Sequence, residues 1–225
     1  RVRGPVLPDL VLLSRRPVWP RLIEVLVLLQ GRVQRQACKD VHGILREHLQ
    51  GLVVLHGPEH VRPRLLLARR LVQNDVRYVE VQLGGWDGQH GNAGTAANRT
   101  NAMDAPIAAL LQDLSSQGML DDTMVVLTTE FGRTPKINGR GGRDHFPKAF
   151  SIMMAGGGVQ GGKVIGKTDA AASNIETESY EPKDLHTTVA YALGLPVEKR
   201  IHAMGGRPFF VGNRGKVIKE AFGSA

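Results

Sequence analysis

The sequence has 225 residues, a hydrophobic fraction of 42% and a formal net charge of +8. A chain of this length can bury one sizeable core or two small ones. Its single cysteine, Cys38, excludes an intramolecular disulfide and a cysteine-rich metal site. The longest apolar run, residues 22–29, is interrupted by Glu24. It is far shorter than the roughly 20 residues that span a bilayer, so we expect no membrane span.

The positive charge is concentrated in an unusual first segment. Residues 1–64 hold 11 Lys and Arg against 5 Asp and Glu, whereas residues 65–225 hold 18 against 16. The first segment also contains no Thr, Asn, Phe, Tyr or Met, and it has no sustained helical or strand period. Two interpretations are open: an atypical linker or oligomerisation segment, or a stretch translated from the wrong reading frame or strand. We predict that the folded domain begins near Leu65 and that residues 1–64 do not pack on it.

Helices and strands are predicted to alternate from Leu65 onwards. Strand, helix and strand over residues 76–129 indicate a parallel βαβ unit with a right-handed crossover. Asp104 is the predicted N-cap of its helix, and Gly118 follows the helix end. In chain order, the predicted elements are helix 65–74, strand 76–83, helix 104–118, strand 123–129, strand 149–155, helix 182–193, and a short strand and helix at 209–211 and 216–222.

Carboxylate and imidazole groups follow the predicted strands. Asp87 and His90 share the glycine-rich loop after the first strand, and Glu130 directly follows the second. Ligands bind at the carboxyl ends of strands in open parallel sheets. The 17-residue loop 132–148 has no predicted secondary structure, and loops of that length are usually functional. The candidates for a metal site are Asp87, His90, Glu130 and His145, with Asp144 and His186 as further candidates.

This mixture of carboxylate and imidazole is typical of zinc or manganese sites. Taken singly, the Asp87–His90 pair is equally explained by turn chemistry, and His186 by a surface or capping position. The joint placement of these groups at strand ends favours a metal. Arg133, Arg140 and Arg143 lie in the same long loop, and their guanidinium groups could clamp a phosphate or sulfate. A solvated basic loop is the alternative interpretation.

Four segments resemble a known family. TMVVLTTEFGRTP, GGRDHFPKAFSIMMAGGGVQGGKVIGKTD and DLHTTVAYALGL are similar to the bacterial family called domain of unknown function 1501, and LLLARRLVQNDVRYVEVQLGGWD fits the same family. The similarity covers residues 65–225. It implies a relation to the alkaline phosphatase and sulfatase superfamily. The implied fold is α/β, with a mostly parallel central sheet flanked by helices, and the implied chemistry is hydrolysis of phosphate or sulfate esters at a metal site.

The resemblance also implies roles for particular residues. Asp87 and His90 match the superfamily's Asp and His that hold one metal, Glu130 stands where it has an Asp-His pair, and His145 matches a later metal-binding His. The implied ion is zinc, with manganese, magnesium or calcium as alternatives. The implied substrate is a small phosphorylated or sulfated ester, with no nucleic-acid partner, and the implied location is exported or periplasmic. The sequence does not indicate which oligomeric state the protein adopts.

One part of the superfamily's machinery has no counterpart. Its nucleophile and an early Asp ligand precede the segment that resembles the family, and no residue here can be assigned to either role. We therefore expect the N-terminal part of the fold to be missing or replaced, and this chain to be an inactive fragment of a hydrolase. The alternative is a non-catalytic relative that binds anionic or sugar ligands, because a fold alone does not give activity.

Overall fold

The computed structural model describes residues 10–13, 22–29, 52–55, 61–88 and 93–223. The helices of this part of the chain are α1 (Val61–Gln73), α2 (Ala93–Ser116) and α3 (Pro182–Ala192). The strands are β1 (Leu10–Leu13), β2 (Leu22–Leu29), β3 (Leu52–Leu55), β4 (Tyr78–Gly84), β5 (Thr123–Thr129), β6 (Gly132–Arg133), β7 (His145–Phe146), β8 (Phe150–Ala155), β9 (Arg200–His202) and β10 (Pro208–Phe210). No helix among the described residues is long and apolar enough to cross a membrane.

Six strands form the main sheet, in the order β1-β8-β5-β2-β4-β3. Among these strands, β3 and β4 are parallel, and the other four neighbouring pairs are antiparallel. The prediction of a mostly parallel central sheet is therefore wrong. Strands β4 and β5 do run in the same direction, as a βαβ unit requires. However, β2 lies between them and is antiparallel to both. The connection through α2 therefore passes over β2 to reach β5.

Three strands of the sheet come from the segment that was predicted to stay apart from it. Strand β1 pairs with β8, β3 pairs with β4, and β2 occupies a central position. The prediction that residues 1–64 do not pack on the sheet is therefore wrong for these strands. The run LIEVLVLL is long enough to pair along its length with both neighbours, with Ile23 opposite Leu83 on one side and Thr129 on the other. The wrong-frame interpretation concerns the gene and stays a prediction.

Strand β5 is buried on both of its faces. Its first residues, TMVVL, are almost continuously apolar, a pattern that suits a strand covered by two layers. Because successive side chains point to opposite faces, Val125 joins one hydrophobic cluster while Met124 and Val126 join the other. The sheet is therefore the middle of three layers, with α1 and α2 on one face and α3 with the C-terminal segment on the other.

The layer of α1 and α2 follows from helical spacing of apolar residues. In α1, Leu65, Ala68 and Val72 are buried, and Leu55, Val79 and Val81 of the sheet belong to the same cluster. An ion pair between Arg69 and Asp113 joins the two helices at their outer side. The buried apolar residues of α2 are Met103, Ile107, Leu110, Leu111 and Leu114.

Helix α2 begins earlier than predicted. Asp104 is not its N-cap, because the helix begins at Ala93 and continues through Pro106. The alanines at its start favour helix, and an interior proline removes one hydrogen bond without having to end the helix. The added turns have a consequence for the sheet edge: Arg99 Nη1 donates to the Gly84 carbonyl at the end of β4, with an N···O distance of 2.7 Å.

The remaining predicted elements are largely confirmed. Helices 65–74 and 182–193 and strands 76–83, 123–129 and 149–155 match α1, α3, β4, β5 and β8 within a few residues. Loop 132–148 was predicted to lack secondary structure, but β6 and β7 pair within it as a short antiparallel ribbon. At the C-terminus, the predicted helix 216–222 is a single 3-10 turn, Lys219–Phe222. Strand β9 was not predicted.

Leu114 offers a test of the packing between α2 and the sheet. Its side chain is fully buried (0% exposed), whereas Leu67 on the outer side of α1 is 44% exposed. We expect Leu114→Ala to lower the free energy of unfolding by about 2–5 kcal/mol through lost burial and a cavity. The matched change Leu67→Ala should cost less than about 1 kcal/mol. Urea unfolding of both variants measures this, and equal losses would contradict the packing described.

Candidate functional site

The carboxyl ends of β4 and β5 bring two loops to one edge of the sheet. Both strands are antiparallel to β2 and therefore point the same way, so residues 85–88 and the segment after Thr129 emerge at the same end of the sheet, on either side of β2. The second segment turns directly into the β6–β7 ribbon. Functional groups that follow the two strands are thereby placed together, as expected for the open edge of an α/β sheet.

The Asp87 carboxylate is the centre of this edge. Its Oδ1 atom lies 3.5 Å from Nε2 of His145 on β7 and 3.3 Å from Nη1 of Arg133 on β6. We call Asp87, Arg133 and His145 the strand-end cluster. All three side chains keep contact with solvent, with exposed fractions of 41%, 25% and 37%. The predicted association of Asp87 with His145 is therefore present, although their positions in the chain are far apart.

Arg133 holds the two loops together. Besides its contact with Asp87, Nη2 donates to the Trp86 carbonyl at 2.8 Å, and Nη1 donates to the Arg143 carbonyl at 3.2 Å. A guanidinium group has five N–H donors in a fixed plane, so one side chain can serve acceptors from both loops. In the structure, Arg133 contacts Asp87 and two loop carbonyls, and its predicted role as an anion clamp stays a prediction.

The loop that carries Arg143 is closed by its own polar groups. The Arg143 amide donates to the Gly88 carbonyl at 3.1 Å, and its guanidinium donates to the carbonyls of Thr134, at 2.8 Å, and Pro135. Asn138 Oδ1 accepts from the amides at positions 140 and 142. These contacts make the long loop a folded unit, and they use the Arg143 donors inside the protein.

Phe131 fixes the ring of His145. The two ring centroids are 4.1 Å apart with an interplanar angle of 32°. The Arg133 guanidinium carbon lies 5.7 Å from the Phe131 centroid. Phe131 follows Glu130 and cannot itself bind a metal. Its contact with the imidazole ring keeps Nε2 of His145 directed at Asp87.

The electrostatics of the cluster favour an ionised Asp87. Partial burial raises the pKa of Asp87, but the hydrogen bonds and positive charges of Arg133 and His145 outweigh this effect. The net result is a pKa below the ordinary value of 3.8. Asp87 is therefore a carboxylate over the whole physiological range, which is the form that binds cations.

The other predicted site residues have different outcomes. His90 lies outside the described residues. Glu130 is half-buried directly after β5, and Asp144 is exposed, with Oδ1 accepting from Asn138 Nδ2 at 2.8 Å. His186 is exposed on α3, and Arg140 is exposed in the loop. Across the described ranges, no group of three His, Cys, Asp or Glu side chains is arranged to hold a metal, so the full ligand set stays a prediction.

Sequence reasoning missed three residues at this edge. Trp86 supplies the carbonyl that orients Arg133, Phe131 stacks on His145, and Arg99 caps the end of β4. The position of Trp86 and Phe131 beside predicted ligands was the available signal. Arg99 gave none, because its helix was predicted to begin after it.

The lowered pKa of Asp87 predicts a pH dependence of stability. A depressed folded pKa adds stability above about pH 4, and this is lost as the pH falls through the folded value. Asp87→Asn removes the contribution, so the melting temperatures of variant and wild type should differ at pH 7 and converge towards about pH 2. The corresponding difference in the free energy of unfolding should stay below about 1 kcal/mol, because the ion pairs of Asp87 are solvent-exposed.

Asp104→Asn provides the matched control for that experiment. Asp104 is an exposed carboxylate in the middle of α2, and its variant should follow the wild type at every pH. A constant difference between Asp87→Asn and wild type from pH 7 to about pH 2 would contradict the contacts assigned to Asp87.

Comparison with known proteins identifies the family. The family described as "Protein of unknown function (DUF1501)" matches residues 45–222. The match begins before Leu65, so the expectation that the similarity is confined to residues 65–225 is wrong at its N-terminal end. No curated protein and no solved structure matches the chain. Because the family match covers well over half of the sequence, the chain belongs to the DUF1501 family.

Proposed function

We propose that the strand-end cluster is part of a divalent-metal site for binding phosphate or sulfate esters, in a domain related to the alkaline phosphatase and sulfatase superfamily. The observation that carries the proposal is the contact between Asp87 Oδ1 and His145 Nε2. It joins a carboxylate and an imidazole from two loops at the carboxyl ends of strands. Zinc is the ion we favour, and manganese, magnesium and calcium are the alternatives.

The two donor atoms fit a shared ion. Ligand atoms that lie roughly 2.0–2.2 Å from a tetrahedral ion are about 3.3–3.6 Å from each other, and Asp87 Oδ1 and His145 Nε2 are 3.5 Å apart. Both groups also have partners that orient them, as metal ligands usually do. Phe131 stacks on the imidazole, and Arg133 binds the carboxylate. Glu130 and His90 are the residues we propose to complete the set.

The charge of Arg133 bears on the class of ligand. Its Nη1 lies 3.3 Å from the same oxygen that would bind the ion, which opposes a second positive charge. A carboxylate has lone pairs enough for both partners. Counting a divalent ion and Arg133 against the carboxylates of Asp87 and Glu130, the proposed site has a net charge of about +1. That excess suits an anionic phosphate or sulfate ester.

The residues of the chain would then divide the work as follows. Asp87 and His145 hold the ion, Phe131 keeps the imidazole plane fixed, and Arg133 keeps the Asp87 carboxylate in place. When bound, the ion polarises an ester oxygen or lowers the pKa of a water. No described hydroxyl at this edge is free to act as a nucleophile: Thr129 Oγ1 donates to the Phe131 carbonyl, and Thr134 Oγ1 to the Lys136 carbonyl.

Those engaged hydroxyl groups favour a second candidate function. A relative that binds an anionic or sugar ligand without cleaving it needs the ion and the arginine but no nucleophile. Metal binding is common to both candidates. Turnover distinguishes them, so binding and catalysis have to be measured separately.

Metal binding is the first test. After removal of bound metal with EDTA, titration with Zn²⁺ should give a dissociation constant that rises in Asp87→Ala and in His145→Ala. Loss of a ligand should exceed the roughly 10–100-fold effect of losing an outer-shell partner. His202→Ala removes an exposed imidazole on β9 and is the matched control. Unchanged affinity in either ligand variant, or an equal loss in His202→Ala, would contradict the site.

Arg133→Gln tests the charge argument. The variant loses the positive charge beside Asp87, so the binding of inorganic phosphate to the zinc-loaded protein should weaken. Assays with 4-nitrophenyl phosphate and 4-nitrophenyl sulfate then decide between the two candidates. We expect turnover at background level from this chain. Metal-dependent turnover that Asp87→Ala abolishes would instead establish a hydrolase.

A further inference from the structure

A polar pocket lies in the C-terminal part of the chain, in elements that contribute nothing to the strand-end cluster. Strands β9 and β10 and the turn Val211–Arg214 surround an open pocket of about 560 Å³. Its volume falls within the range of small-molecule sites, roughly 300–1,000 Å³. Three arginines, Arg200, Arg207 and Arg214, line it together with Phe209 and Phe210, and no acidic residue does.

The three guanidinium groups have no acceptor within the described part of the chain. None of them makes an ion pair or a side-chain hydrogen bond there. This distinguishes them from Arg133 and Arg143, whose donors are used by carbonyls and a carboxylate. All three side chains are exposed, and because each guanidinium carries five N–H donors and no acceptor, together they can bind an oxyanion from outside the described structure.

An aromatic ring arranges two of these arginines. The guanidinium carbon of Arg214 lies 4.4 Å from the Phe210 ring centroid, and that of Arg200 lies 6.0 Å from it. Arg200 and Phe210 are directly opposite each other in the β9–β10 pairing. Arg214 packs against the ring, whereas Arg200 lies at the outer limit of a cation–π contact, and such contacts leave N–H donors available for a ligand. Phe209, which is 39% exposed, adds apolar surface to the same pocket.

The wall that carries Arg214 has a strained backbone. Gly212, Asn213 and Arg214 have positive φ angles of 73°, 55° and 59°. Two consecutive non-glycine residues in this region are uncommon, and such strain persists where the surrounding structure enforces it, often at binding sites. The turn is therefore held in a conformation that the chain would not adopt alone.

Helix α3 supplies that support. Thr187 Oγ1 donates to the Gly212 carbonyl at 2.9 Å, and the Lys216 amide donates to Asp184 Oδ1 at 2.7 Å. Both Thr187 and Asp184 are buried. A Cβ atom on Gly212 would lie 2.1 Å from Thr187 Oγ1, so the turn can approach α3 this closely only with glycine there. The backbone that carries Arg214 is thus anchored on both sides before any ligand arrives, which lowers the entropic cost of binding.

We propose that this pocket binds a small phosphate or sulfate monoester with an aromatic or apolar body. The N–H edges of Arg200, Arg207 and Arg214 bind the oxyanion, and Phe209 contacts the body of the ligand. Binding requires no metal and does not depend on the function proposed for the strand-end cluster. Phosphate and sulfate esters share the chemistry that the arginines recognise, and the experiment separates the two sources.

Calorimetric titration in EDTA at about 0.15 M salt tests the pocket with 4-nitrophenyl phosphate and 4-nitrophenyl sulfate. We expect one of these esters to bind, and Arg200→Gln and Arg207→Gln each to raise its dissociation constant about tenfold, the effect of losing one charge-assisted hydrogen bond. Inorganic phosphate lacks the aromatic body, and 4-nitrophenol lacks the phosphate or sulfate group. Each should bind at least about tenfold more weakly than the ester. Melting temperatures verify that each variant is folded.

One control variant gives the test its specificity. Lys199→Gln makes the same charge change next to Arg200 without lining the pocket. It should bind the ester like the wild type. The proposal is overturned by unchanged binding in Arg207→Gln, or by an equal loss in Lys199→Gln, which would indicate net charge alone. Tighter binding of a single-stranded oligonucleotide than of either ester would also overturn it.

Discussion

Burial of strand β5 on both faces is the constraint on which the rest of the structure depends. A strand with Val125 in one hydrophobic cluster and Met124 and Val126 in the other needs a helical layer on each side. Helices α1 and α2 supply one layer, and α3 with the C-terminal segment supplies the other. The ends of β4 and β5 are thereby fixed in space, and the loops that leave them have to meet at the same edge.

Electrostatic complementarity then decides what that edge does. The ionised carboxylate of Asp87 contacts the imidazole of His145 on β7 and the guanidinium of Arg133 on β6. Charge and hydrogen bonding join the two loops, and Trp86 in the first loop also packs against the hydrophobic cluster of the α1–α2 layer. The C-terminal pocket differs, because Arg200 and Arg214 lie beside Phe210 and its arginines have no described acceptor. The charges of the strand-end cluster are paired within the protein, and those of the pocket are available to a ligand.

Much of this could be predicted where the sequence carries a single strong signal. TMVVLTT reads as a buried strand, and the apolar spacing of α1 and α3 identifies those helices. The meeting of Asp87 with His145 follows from their positions after successive strands of one direction. The central place of LIEVLVLL could not be read in this way. Its apolar run was weighed as a membrane span, and nothing local in it specifies two partners that are distant in the chain.

Side-chain roles at the site were harder to predict than its location. Arg133 was expected to clamp a ligand, but Trp86, Asp87 and Arg143 lie within its reach only once the β6–β7 ribbon forms. The stacking of Phe131 on His145 depends on the same ribbon. Asp104 failed as an N-cap for a local reason, because an alanine-rich stretch before it continues the helix. For Arg133 and Phe131, contacts distant in sequence decided the outcome.

The central claim is that Asp87 and His145 bind one ion, and ¹⁵N NMR of the histidine side chains tests it most directly. Titration of Zn²⁺ into the metal-free protein should shift the Nε2 resonance of His145, the nitrogen that faces Asp87, while His186 and His202 stay unchanged. The shift should disappear in Asp87→Ala. A shift at Nδ1 of His145, or an Nε2 resonance that does not respond to zinc, would contradict the account.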